Sequence, residues 1–265
     1  MQLQAGFSFC IAPRFHSRLA WQERLRVNTG VEGDGRRFYP RDDWRLPSPA
    51  ELALLVDDPA QMRGPTEAIL ATSQVGVLVL PAHIRAAWWT VVEQADVLSG
   101  KLDGYETFVA TLNEFLRFKR MLLPSRCGFV VSASQPGQRS TRIDPATGEL
   151  AGLGFSETQT TEPCSRLLGL INLGDEATQL VLLNLPLHDM HASLTKQRQT
   201  AGGKMSARDF LTRFLTTLPT YPLVGVRLDP GDGLWLPDGG MVYDGDTRGK
   251  QELDLILTIY DRVNA

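Results

Sequence analysis

Apolar positions recur at two different spacings along this 265-residue chain. Up to about residue 125 the signals are helical. Ser48-Pro49-Ala50-Glu51 reads as a capping box with proline in the first turn, opening a helix toward Asp57. Pro81–Leu98 carries a mixed apolar pattern that stops before Gly100, as a helix ending on glycine does. Asp103-Gly104-Tyr105-Glu106 begins another helix, with Phe108, Leu112, Phe115, Leu116 and Met121 at roughly helical spacing. Trp88, Trp89 and the Phe108, Phe115 and Phe118 set share that spacing and are expected in a core. After Leu123-Pro124 the pattern changes. Short runs of Val, Leu and Ile alternate with Gly, Pro and Asp, and they predict strands at Gly128–Ser132, Leu167–Leu173, Gln179–Leu185, Leu223–Leu228, Gly233–Leu236, Gly240–Tyr243 and Leu253–Tyr260. One helix interrupts them, from an N-cap at Ser206 to about Leu218. Runs this apolar, without alternation, imply strands covered on both faces. The expected fold is α+β: a jelly-roll core over 126–262, with helices from a mainly helical 1–125 packed on one sheet. No linker or repeat divides the chain, so a single domain over 1–265 is expected.

Composition narrows the classes. At 43% apolar and 22% charged the chain is ordinary for a globular protein, and it is long enough to bury one large core. A formal charge of −3 gives no electrostatic reason to expect nucleic acid or an anionic membrane as partner. The longest apolar stretches, Val75–Ala82 and Leu180–Leu187, are far too short to span a bilayer. The start, Met1-Gln2-Leu3-Gln4, lacks the basic residues of a signal peptide. Cys10, Cys127 and Cys164 are widely spaced and fit reduced thiols, so a cytoplasmic protein is expected. Gly30–Arg37 is the segment expected to be the mobile loop.

Several familiar signatures fail. Gly202-Gly203-Lys204-Met205-Ser206 lacks the leading glycine and the hydroxyl of a phosphate loop, and Gly30-x-x-Gly33-x-Gly35 follows no predicted strand. No GxSxG elbow, HExxH or paired-cysteine spacing occurs.

A resemblance does emerge from five segments taken in order: Thr141-Arg142-Ile143-Asp144-Pro145, Gly148-Glu149-Leu150-x-Gly152-Leu153, Ile171-Asn172-Leu173-Gly174, Leu228-Asp229-Pro230-Gly231-Asp232 and Asp244-Gly245-Asp246-Thr247-x-Gly249-Lys250. Over about 125–262 the chain resembles bacterial Fe(II)/2-oxoglutarate-dependent dioxygenases, which are built on a double-stranded β-helix. That resemblance implies a His-x-Asp pair and a distant histidine as iron ligands, with three positions left open for 2-oxoglutarate and oxygen. In register, the pair falls on Gly154, Phe155 and Ser156, and the distant histidine on Tyr243. The chain has no His-x-Asp or His-x-Glu anywhere, and no histidine follows His191. No metal ligand set and no cofactor is therefore expected, with Fe(II) and 2-oxoglutarate as the alternative.

The candidate catalytic residues are Tyr243, Glu157, His188 and Ser156. Tyr243 can donate its hydroxyl to an oxyanion or plug the vacated space. Glu157 can serve as a base if burial raises its pKa. His188, in His188-Asp189-Met190-His191 after a strand, titrates in the useful range. Candidate substrate contacts are Arg142, Asp244, Arg248, Lys250 and Gly154: the arginines suit a bidentate carboxylate, Lys250 acts as a point charge, and Gly154 opens volume.

Three readings stay open. The first is a biosynthetic enzyme of secondary metabolism that transforms a small amphipathic metabolite by acid–base or electrostatic catalysis, such as cyclisation, isomerisation, elimination or condensation. The second is an oxygenase whose iron sits on His188 and His191 with Asp189 or Glu157. The third is a non-catalytic binding protein, as a homodimer or in a heteromer with a paralogue.

Overall fold

The computed structural model describes residues 2–10, 21–56, 74–93, 95–96, 101–102, 104–118, 127–144, 147–155, 167–196, 206–237 and 241–261. The N-terminal part supplies β1 (Ser8–Cys10), β2 (Leu25–Val27), the hairpin β3 (Val31–Gly33) and β4 (Phe38–Pro40), helix α1 (Pro49–Leu55) and β5 (Gln74–Val79). Helix α2 (Ala82–Glu93), the short pair β6 (Ala95–Asp96) and β7 (Lys101–Leu102), and helix α3 (Tyr105–Phe118) follow. The remainder runs β8 (Cys127–Ser134), β9 (Gly154–Phe155), β10 (Leu167–Asn172), β11 (Thr178–Leu183), α4 (Leu187–Lys196), α5 (Ala207–Thr217), β12 (Val224–Leu228), β13 (Asp232–Pro237), β14 (Val242–Asp246) and β15 (Asp254–Asp261).

Two sheets carry the fold. One orders its strands β1-β5-β13-β10-β15-β8, the other β2-β12-β11-β14-β9. From β8 onward the chain crosses between them at almost every step, so sequence neighbours are rarely sheet neighbours. Their inner faces share one core. Val75, Val77, Leu168, Leu170, Leu234, Leu236 and Ile256 from the larger sheet meet Leu25, Val27, Leu180, Leu182, Val224, Val226 and Leu228 from the smaller. The alternate residues of the same strands face outward and are buried too. Ile171, Trp235, Leu257 and Ile259 pack under α2 and α3 with Ile84, Trp88, Phe108 and Leu112. Val181, Leu183 and Val242 pack under α4 and α5 with Met190, Phe210, Phe214 and Leu215. This double coverage is why the strand runs show no polar alternation.

Each of the seven strands expected in the C-terminal half is present, with ends shifted by a few residues. The α+β class holds. The mainly helical N-terminal half does not: β1 and β5 join the larger sheet and β2 the smaller. The reason lies in Val75–Leu80, where successive side chains alternate between two apolar cores. Such a run has no period that marks it as a strand. Helices also lie on both sheets, not on one, because α4 and α5 from the C-terminal half cover the smaller sheet. The glycine-rich 30–37 segment forms the β3–β4 hairpin, where Asp34 accepts the backbone N–H groups of Arg36 and Arg37.

Local signals were reliable where capping chemistry is explicit. Ser48 accepts the Glu51 N–H, and Glu51 accepts the Ser48 N–H in return. Arg45 grips the same carboxylate through both terminal nitrogens at 2.7 Å. Those contacts, the Arg45 bond first, lower the Glu51 pKa from 4.5 to about 2. A depressed carboxylate stabilises the fold above its unfolded pKa and loses that contribution as pH falls toward the folded value. Ser48→Ala is expected to cost about 1 kcal/mol in urea melts at neutral pH. Glu51→Gln should lose stability at neutral pH while showing a shallower decline than wild type on acidification from 4.5 toward 2.

Candidate functional site

The smaller sheet ends in a cationic mouth. Its edge strand β9 pairs with β14 so that Gly154 lies directly opposite Tyr243. Beyond β9, residues 137–142 take over the edge: Gly137 N–H donates to the Thr247 carbonyl, Thr247 N–H to that of Gln138, and Thr141 N–H to that of Gly245. This brings Arg142 to the corner where Gly154 and Tyr243 meet.

Gly154 has a packing reason to be glycine. A Cβ there would stand 3.2 Å from both Nε and Nη2 of Arg142, so the guanidinium occupies the space a side chain would need. Its Cζ lies 5.4 Å from the centroid of the Tyr243 ring, a cation–π distance. Nη2 donates to the Phe155 carbonyl at 2.6 Å. Nε is sealed from solvent and has no hydrogen-bond partner among the described residues. A buried, unpaired N–H on a charged group is costly.

Arg142 and Gly154 line a cavity of about 310 Å³. Arg36 and Arg208 add positive charge, while Phe38, Leu153 and Leu211 supply apolar wall. Asp144 is the carboxylate among the lining residues, and it pairs with Arg208 at 3.4 Å. Hairpin strand β4, strand β9 and helix α5 therefore each contribute a wall.

Asp244 occupies a different place from the substrate contact expected of it. It faces outward from β14, opposite Val181, and lines neither of the two cavities described for this protein. Its Oδ1 accepts the N–H of Thr141 at 3.1 Å and of Gly245 at 2.7 Å, which ties down the segment presenting Arg142. Burial raises its pKa from 3.8 to about 6, against the lowering effect of Ser140, the two backbone donors and Arg142. Arg248 and Lys250 also stand apart from Arg142. Both line a second cavity that shares no residue with the first. They pair with Asp246 and with Asp254, respectively.

His188–His191 lies in helix α4, and the side chain of His188 is 75% exposed beside Asp189. His191 stacks on Phe210 with ring centroids 5.8 Å apart. Neither lines a described cavity. Ser156 and Glu157 lie outside the described residues. What residue-by-residue reading missed is the convergence on the mouth of Phe38, Arg36 and Arg208, which come from distant segments with no shared motif.

Between Gly154 and Tyr243 the described residues offer no ligand set for a ferrous ion. Gly154 offers no donor, a guanidinium fills the adjoining space, and no group of three His, Cys, Asp or Glu converges among the described residues. No protein-family model matches the chain, and no curated protein matches it. Among solved structures it is similar to HygX from Streptomyces hygroscopicus with iron bound (12% identity, TM-score 0.36), covering 77% of this chain and 88% of that one. HygX with nickel and 2-oxoglutarate bound gives 12% identity and a TM-score of 0.37 over the same shares. An N-substituted L-amino acid dioxygenase from Burkholderia ambifaria AMMD, in complex with alpha-KG, gives 14% and 0.33 over 89% of this chain and 93% of that one. At these values the likeness assigns no activity to this chain. The expectation of no cofactor is nonetheless corrected, because the structures found similar hold iron, or nickel with 2-oxoglutarate. Among the described residues no helix is long and apolar enough to cross a membrane.

The raised Asp244 pKa sets a direction for stability. A carboxyl group that is harder to ionise when folded favours the fold at low pH, and that contribution is lost as pH rises from 3.8 through about 6. Asp244→Asn should remove this dependence. Between about pH 5 and pH 8, wild type is expected to lose about 1 kcal/mol more than the variant in urea melts.

Proposed function

We propose that this protein is a double-stranded β-helix that binds a small amphipathic carboxylate in the mouth between β4, β9 and α5, and transforms it there. The strand order supports the fold reading: β8, β10, β13 and β15 belong to one sheet, β9, β11, β12 and β14 to the other, with the chain wound between them. Arg142 carries the functional reading. It combines a fixed orientation, an unpaired buried Nε and a place on the wall of the 310 Å³ cavity. A carboxylate oxygen entering the mouth supplies the acceptor that Nε lacks, in a charge-assisted bond. Phe38, Leu153 and Leu211 hold the apolar part of the same ligand. Tyr243 steadies the guanidinium through its ring, and Asp244 steadies the backbone that presents it.

2-Oxoglutarate is the first carboxylate to test, since a dicarboxylate matches a site with Arg142 at its base and Arg36 and Arg208 at its rim. Isothermal titration with 2-oxoglutarate and with monocarboxylates, with and without added Fe(II), tests the reading. Carboxylate binding should weaken by about tenfold or more in Arg142→Met, which keeps the apolar stem and removes the donors. Gly154→Ala should weaken it as well, by displacing the guanidinium. Unchanged affinity in Arg142→Met, or no binding of any carboxylate, overturns the proposal. Fe(II)-dependent turnover of 2-oxoglutarate that survives Arg142→Met would favour an oxygenase with ligands elsewhere.

A further inference from the structure

The second cavity, of about 250 Å³, opens on the smaller sheet at the end where β11 begins. Five cationic side chains line it: Arg24, Arg26, Arg227, Arg248 and Lys250. They come from three separate stretches of chain, around β2, in β12 and after β14, so no sequence motif gathers them. Asp246 is the carboxylate in the lining. We infer that this cavity is a second ligand site, separate from the mouth, for a small phosphoryl-bearing molecule.

The first support is how the cations are held. Arg24 is paired with Asp229 and Asp232, Arg248 with Asp246 and Asp42, and Lys250 with Asp254 at 2.7 Å. Apart from Asp246, these acids are not in the cavity lining. They grip the cations from behind and fix their directions, so little side-chain freedom is left to lose on binding. The Lys250–Asp254 pair is buried, at 5% and 1% side-chain exposure, and cannot swing away into solvent.

The second is an excess of donors. Arg26 gives Nη1 to the carbonyls of Glu23 and Leu25 and has no acidic partner among the described residues. Arg227 engages Asp229 through Nε alone. Gln179 Nε2 and Thr178 Oγ1, both in the lining, are sealed from solvent with no hydrogen-bond partner among the described residues. Gly225 keeps the floor open, since a Cβ there would come within 2.8 Å of Gln179 Nε2. With Arg24, Arg248 and Lys250 already paired to aspartates, the spare donors are those of Arg26 and the terminal nitrogens of Arg227, and together with the two unpaired polar groups they call for an anion with several acceptor oxygens. Planar guanidinium forks match phosphoryl oxygens. The volume falls just short of the roughly 300–1,000 Å³ of sites for drug-sized ligands, which favours a compact polyanion over a nucleotide.

Pyrophosphate is the probe. Titration calorimetry at physiological ionic strength should show binding to the full chain that weakens as salt rises. Arg26→Ala combined with Arg227→Ala should reduce affinity by about tenfold or more. Arg227→Gln alone, at a side chain 66% exposed, gives a milder loss in a variant whose folding is not at stake. Arg142→Met should leave pyrophosphate affinity unchanged, which separates this site from the mouth. The inference is overturned if millimolar pyrophosphate does not bind, if it binds the folded Arg227→Gln and double variants as tightly as wild type, or if Arg142→Met abolishes it. Preference of this cavity for 2-oxoglutarate over pyrophosphate would also overturn it.

Discussion

Packing two sheets face to face leaves each with a second apolar surface that water cannot be left to wet, and this constraint organises the molecule. Leu180 and Leu182 fill the space between the sheets while Val181 and Leu183 sit under α4 and α5. Leu170 and Ile171 divide in the same way between the inter-sheet core and the layer under α2 and α3. Each central strand is thus locked from both sides. A one-residue slip would exchange two packed faces at once, so register is strongly specified. The two cavities lie at the margins, where helices end and edge strands are short.

At those margins polar side chains take over from apolar ones. Asn28 is buried, accepts the N–H groups of Gly30 and Leu223, and donates to the carbonyls of Gly30 and Arg41. Asn172 bridges the β10–β11 turn to the end of β12 in the same manner. Thr247 and Asp244 pin residues 135–142 alongside β14. Paired groups of this kind rigidify their surroundings. Arg142 Nε and Gln179 Nε2 are buried without a partner among the described residues, and both residues line cavity walls.

The segments that carry the family resemblance turn out to hold turns together. Asn172, Asp232, Asp244, Thr247 and Lys250 each have a structural hydrogen-bond or ion-pair partner. Such residues were legible because turn chemistry is local and repeats wherever the same bend is made. The opposition of Gly154 and Tyr243 was legible for the same reason, as a consequence of register. The helix that carries His188 and His191 was not legible, because a short polar stretch with two histidines looks alike in a loop and in a helix. The strand β5 was missed because its side chains enter two cores and leave no periodic trace.

Sequence alone determined the class of the fold, the C-terminal strands, the caps at Ser48 and Ser206, and the absence of donor atoms at Gly154, since these depend on neighbours within a few residues. Tertiary structure alone decided that Arg142 fills the space above Gly154, that Arg36, Phe38 and Arg208 share its cavity, and that Arg248 and Lys250 belong to another with Arg24 and Arg26. Those groupings join residues as many as 226 positions apart, from Arg24 to Lys250. No local spacing encodes such a meeting; it is set by which strands pair and by which helices the leftover apolar faces require.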